Sequence, residues 1–139
     1  MLKICIATHG HYSSGIYSSF QLIAGAKENI DLIEAYINDD NLPDTIAAYM
    51  ARQNPADTLI VFTDLLGGSV NQAFAPYLQT HDFHLVTGIN LAMLLELAFM
   101  DEIDADGIRR IVDNGRAQIV YVNDLLSAPT ESTDDGFED

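Results

Sequence analysis

TLIVFTDLLGGSVNQ, residues 58–72, is the stretch on which the fold turns. Thr58–Thr63 is rich in β-branched and aromatic residues and reads as a strand bounded by Asp64. Leu66-Gly67-Gly68-Ser69 reads as a turn. Ser69-x-x-Gln72 has the spacing of a capping box, so a helix is expected to start at Ser69. Pro76 falls inside that helix and is expected to kink or shorten it. A strand leading through a short turn into a helix is half of a βαβ unit.

The same alternation repeats on either side. Upstream, Lys3–Ala7 is a short apolar run ending at Thr8-His9-Gly10, and Ile16, Phe20 and Ile23 recur at helical spacing over residues 12–26. Residues 30–37 read as a second strand, followed by a helix with Pro43 in its first turn. Downstream, residues 83–87 read as a fourth strand. Asn90 then serves as N-cap of an apolar helix over 91–100, and a further helix spans 101–115. Residues 118–122 (QIVYV) read as a last strand. Strands alternating with helices predict an α/β fold: a doubly wound, mostly parallel sheet flanked by helices. The chain of 139 residues reads as a single domain over residues 1–126. The tail, 127–139, carries five acids and no base, a composition that predicts disorder.

Composition excludes several classes. Hydrophobic residues make up 48% of the chain and charged residues 19%, as in globular proteins. The formal charge of −15 argues against sequence-independent nucleic-acid binding and against a polybasic grip on anionic lipid. Cys5 is the single cysteine, which excludes an intrachain disulfide; its apolar neighbours mark it as a buried small hydrophobe. The apolar stretches at 2–7 and 91–100 are too short for a signal peptide core and a membrane span, and each holds a charge, Lys3 and Glu96. A cytoplasmic location is the expectation.

Ligands of open parallel sheets bind beyond the carboxyl ends of the strands, which points to His9, Asp64 with its Gly-Gly-Ser turn, and Gly88 to Asn90. If the first and third strands are neighbours, the His9 ring and the Asp64 carboxylate can meet. The carboxylate would then hold one imidazole nitrogen and leave the other free as a nucleophile. Taken singly, His9 is equally well a loop histidine and Asp64 a turn former. Gly67, Gly68 and Ser69 would let backbone amides approach an anion at a helix start. No lysine follows that turn, so it is not a nucleotide P-loop, and no acidic pair follows the first strand to hold magnesium. A histidine nucleophile, an orienting carboxylate and an anion cradle suit metal-free transfer of a phosphoryl group.

Three segments, Ala7-Thr8-His9-Gly10, residues 62–69 (FTDLLGGS) and residues 88–96 (GINLAMLLE), together resemble the signatures of the enzyme IIA components of the mannose family of the phosphoenolpyruvate-dependent sugar phosphotransferase system. The likeness runs in order over residues 1 to about 125. It implies that His9 is phosphorylated, that Asp64 orients it, and that Gly67, Gly68 and Ser69 hold the phosphoryl group. Thr8, Gly10 and Asn90 are supporting candidates. It implies no cofactor and no metal, phospho-HPr as donor, a histidine of enzyme IIB on a separate chain as acceptor, and membrane sugar permease subunits beyond. It also implies a homodimer whose last strand, 118–122, runs antiparallel and is exchanged between subunits. Val70 and Ala92 stand where family members often carry proline, and Asn71 precedes the usual asparagine position.

Other readings compete. A receiver-like signalling module would be phosphorylated on Asp64, but this chain lacks the acidic pair and the late lysine of that type. His9, His11 and Asp64 could serve a metal-dependent hydrolase. A flavodoxin-like redox protein fits the size and acidity, although residues 9–15 match a flavin phosphate loop poorly. His81 and His84 read as surface residues, Tyr12 and Tyr17 as core or docking residues, and Leu94, Leu95, Leu97 and Phe99 as core or dimer contacts.

Overall fold

Strand β1, Leu2–His9, is the centre of the molecule because both of its faces are apolar. Leu2, Ile4 and Ile6 enter one core and Cys5 and Ala7 the other. Strand β3, Thr58–Thr63, divides in the same way, with Ile60 and Phe62 on the first face and Leu59 and Val61 on the second. Strands covered on both faces read as continuous hydrophobic runs, which is why these two segments lack alternation. The structure, a computed structural model, describes residues 1–127. The expected disorder of the acidic tail concerns residues that lie, after Ser127, outside those described.

The sheet has four parallel strands in the order β2-β1-β3-β4, where β2 is Ile30–Ala35 and β4 is His84–Thr87. Helix α1, Tyr12–Ala24, lies on the first face with α4, Leu91–Leu97, and α5, Ala105–Ala117. Helices α2, Leu42–Ala51, and α3, Ser69–Phe74, cover the second. The chain leaves β1 for β2 on one side and later places β3 on the other. The strand order therefore reverses between β1 and β3, at the topological switch point where such sheets bind ligands.

Local signals account for most helix boundaries. Asn41 caps α2, accepting the Asp44 amide at 3.0 Å, with Pro43 in the first turn. Asn90 caps α4 through the Met93 amide at 3.1 Å, as expected. Helix α3 stops at Phe74, and Pro76 sits in the 3-10 turn Ala75–Gln79 that follows. Cys5 is fully buried, and burial pushes its thiol up to about 12, the character of an inert small hydrophobe.

One element departs from expectation. Residues 118–122 do not form a strand: 118–121 are irregular and α6, Val122–Leu126, is a short helix. The segment is exposed throughout, including Ile119, Val120, Tyr121 and Val122. Strand propensity forms a strand only where an edge is available to pair its backbone groups, and among the described residues none takes it. Its antiparallel direction and exchange in a dimer remain implications of the resemblance.

Gly115 is where α5 meets α4. A Cβ there would lie 2.5 Å from Met93 Cγ and 2.9 Å from its Sδ, and the Gly115 carbonyl accepts the Asn90 side-chain amide at 2.9 Å. Gly115→Ala is expected to destabilise the fold by about 1 kcal/mol net, overpacking outweighing the better helix propensity of alanine. Urea midpoints compare the two; an unchanged or raised midpoint would show that Met93 yields freely.

Candidate active site

Neighbouring β1 and β3 bring His9 and Asp64 together at the carboxyl end of the sheet. Asp64 Oδ2 accepts two hydrogen bonds from His9, one from the backbone amide and one from ring Nδ1, each at 2.9 Å. Its Oδ1 accepts the Leu65 amide at 3.1 Å. The Asp64 side chain is 9% exposed, whereas His9 is 40% exposed. The carboxylate is therefore largely buried and the ring open to solvent.

Burial pushes the Asp64 carboxyl pKa up, but the hydrogen bonds from the His9 amide and ring outweigh it and hold the pKa below the usual carboxylate value of 3.8. Asp64 is thus ionised near neutral pH and accepts the Nδ1 proton, which leaves Nε2 with its lone pair outward. A carboxyl whose folded pKa is depressed stabilises the native state fully above its unfolded pKa, and that stability is lost as pH falls through the folded value. Acid titration of wild type is expected to show this loss below about pH 4. Urea midpoints of Asp64→Asn should fall less steeply over the same range; parallel curves would contradict it.

Ser69 Oγ lies 3.2 Å from His9 Nε2. Ser69 is the first residue of α3 rather than its cap. The N-cap is Gly68, no side chain caps the helix, and the Gln72 side-chain amide donates to the Gly67 carbonyl at 2.7 Å. The expected Ser69–Gln72 capping box is therefore absent, because the serine hydroxyl is engaged by the site. The amides of Ser69 and Val70, at the start of a helix, have no intrahelical acceptor, whereas the Gly68 amide donates to the Leu65 carbonyl at 3.1 Å. Gly67, at φ +74°, supplies the left-handed turn. Gly68 allows close approach: a Cβ there would be 3.2 Å from the Leu65 carbonyl and 3.6 Å from His9 Cε1.

The supporting candidates separate. Thr8 Oγ1 accepts the Ser13 amide at 2.8 Å, anchoring the start of α1 just beyond His9. The Gly10 amide donates to the Ala35 carbonyl at 2.9 Å and turns the chain over β2. Asn90 is not a partner of His9; it caps α4 and holds α5. Asn71 accepts the Thr63 hydroxyl at 3.1 Å and ties α3 to the end of β3. His11 turns away to Glu34, at 3.2 Å, and does not join His9 and Asp64. Among the described residues no three His, Cys, Asp or Glu side chains are grouped to hold a metal ion. Asp64, buried with both oxygens engaged, is poorly placed to be a receiver-type phosphoacceptor.

Sequence reasoning missed Tyr36. Its hydroxyl lies 2.7 Å from Ser69 Oγ and its ring centroid 5.5 Å from that of His9. Tyr36 has φ +68°, the only non-glycine residue at positive φ among those described, a conformation that costs about 1–3 kcal/mol. In the sequence it is hidden at the end of an apolar run that reads as strand through Ile37.

Comparison with known proteins bears on this geometry. The family model described as PTS system fructose IIA component, EIIA-man, matches residues 3–114. The mannose-specific EIIAB component of Escherichia coli strain K12 is 26% identical over 99 residues, which cover 68% of this chain and 30% of that protein. The chain thus spans about 30% of the length of the curated relatives it matches. A solved structure from Klebsiella pneumoniae, provisionally assigned to a phosphoenolpyruvate-dependent sugar phosphotransferase system permease, is 31% identical with a TM-score of 0.85; the match covers 91% of this chain and 94% of that one. The EIIA component of Streptococcus agalactiae is 26% identical with a TM-score of 0.73, covering 88% and 98%. Among the described residues no helix is long and apolar enough to cross a membrane.

Proposed function

Because this chain belongs to the mannose-type IIA components of the sugar phosphotransferase system, we propose that His9 is its phosphoryl carrier, accepting the group at Nε2 and passing it on. The observation that carries this is the bond from Nδ1 to an ionised, buried Asp64, which leaves the exposed nitrogen nucleophilic. In the forward step the Nε2 lone pair forms the new N–P bond while the P–N bond of a donor phosphohistidine breaks. The donor nitrogen keeps that bonding pair. The Nδ1 proton stays on the ring, and the Asp64 carboxylate offsets the positive charge that develops there. Ser69, with the turn at Gly67 and Gly68, receives the phosphoryl oxygens. A chain of net charge −15 needs such local donors to accept an anionic group. No metal or cofactor enters the step.

On this reading the donor is phospho-HPr, the acceptor is a histidine of enzyme IIB, and the phosphoryl group finally drives sugar uptake through membrane permease subunits from the cytoplasmic side. Residues 1–126 form the IIA domain. The test is intact mass after incubation with phosphoenolpyruvate, enzyme I and HPr, with the site located by fragmentation. One phosphoryl group on His9, labile in acid and stable in base, is expected. A donor system that phosphorylates another IIA protein but leaves this one unmodified, or a base-labile phosphate on Asp64, overturns the proposal.

A further inference from the structure

Tyr36 pairs a strained backbone with a side chain aimed at the site. On the phosphocarrier reading above, we infer that Tyr36 is a positioning residue for His9, acting through Ser69. Three hydrogen bonds run in series: Tyr36 Oη to Ser69 Oγ at 2.7 Å, Ser69 Oγ to His9 Nε2 at 3.2 Å, and His9 Nδ1 to Asp64 at 2.9 Å. Ionised Asp64 can only accept, so Nδ1 donates and Nε2 accepts. Ser69 must then donate to Nε2, and its remaining capacity is as acceptor from the Tyr36 O–H. The donor directions of the whole chain follow from the carboxylate at its far end.

This order has a consequence for transfer. Nε2 must shed the serine proton's hydrogen bond when it attacks phosphorus. With the Tyr36 hydroxyl holding Ser69 Oγ in place, the serine O–H is poised to swing from Nε2 to a phosphoryl oxygen without the side chain leaving the site. The tyrosine ring, beside the imidazole, limits the other rotamers of His9. Side chains that must be held in one geometry contribute most when that geometry is prepared in advance. The left-handed backbone at Tyr36 directs the side chain back over the strand ends, toward Ser69 and His9. A tyrosine at such a position, where asparagine or glycine would be less strained, is accounted for by what its side chain reaches.

Tyr36→Phe removes only the hydroxyl of a residue that is largely exposed. Phosphoryl transfer from phospho-HPr is expected to slow about fivefold, the kinetic equivalent of one neutral hydrogen bond. Combined with Ser69→Ala, it should add little to the effect of Ser69→Ala alone, since both act through the same hydroxyl. The 15N resonance of His9 Nε2 should shift in Tyr36→Phe without phosphorylation. Tyr36→Asn should melt no lower than wild type, as asparagine tolerates the backbone, and yet transfer more slowly; a purely structural residue would move both together. Wild-type transfer rates in Tyr36→Phe, or effects of Tyr36→Phe and Ser69→Ala that simply multiply, overturn the inference while leaving the carrier reading intact. A wild-type protein that accepts no phosphoryl group overturns both.

Discussion

His9→Gln is expected to take up no phosphoryl group in an assay that fully phosphorylates the wild type. The glutamine amide reaches a similar place but offers a delocalised nitrogen with no basic lone pair, so no N–P bond can form. The loss should be complete, because His9 alone among the four histidines meets both Asp64 and Ser69, while His11 pairs with Glu34 and His81 with Thr80 Oγ1. The fold should survive. His9 is 40% exposed, and its backbone amide still donates to Asp64 in the variant. Thermal melting within a few degrees of wild type, with intact mass unchanged after exposure to phospho-HPr, is the expected pair of results. His11→Gln is the control and should be phosphorylated normally. Phosphoryl uptake by His9→Gln at the wild-type level would move the site elsewhere.

Asp64→Asn is expected to slow transfer about a hundredfold, the equivalent of one charge-assisted hydrogen bond at the upper end of its range. Two physical losses combine. Asp64 Oδ2 accepts both the His9 amide and Nδ1 while Oδ1 accepts the Leu65 amide, so an asparagine whose oxygen keeps the Leu65 amide presents its NH2 to the ring. That contact favours the tautomer with the proton on Nε2, which removes the nucleophilic lone pair. In the other tautomer a neutral amide cannot offset the positive charge that grows on the imidazole as phosphorus bonds to it. Quench-flow rates measure the first effect, and 15N NMR of the His9 ring reads the tautomer directly. A rate within threefold of wild type, with the proton still on Nδ1, would show that the carboxylate is only a structural anchor for the β1 turn.

Much of this molecule was legible before folding because the informative signals are local. Thr58–Thr63 matches β3 residue for residue, and a helix begins at Ser69 as expected. Pro43, Asn90 and Pro76 act within one turn of their own position, so their effect on helix boundaries needs no tertiary knowledge. Pairing of His9 with Asp64 was legible as a condition: it required that β1 and β3 be adjacent, and the strand order meets it. The capping box misled because Ser69 has one hydroxyl and two uses for it. Local sequence favours the helix amide, whereas the folded site offers a histidine and a tyrosine.

By itself the sequence determined the alternation of strand and helix, the apolar character of both sheet faces, and the residue types gathered at the strand ends. Each of these is a property of neighbours along the chain, set by side-chain volume, backbone preference and hydrogen-bonding capacity within a few residues. Only the tertiary structure decided that Tyr36 closes over His9, since that depends on a left-handed residue ending β2 and on α3 starting across the sheet. It alone also decided the state of residues 118–122. A strand is a relation between two backbones, and residue preferences specify only one of them.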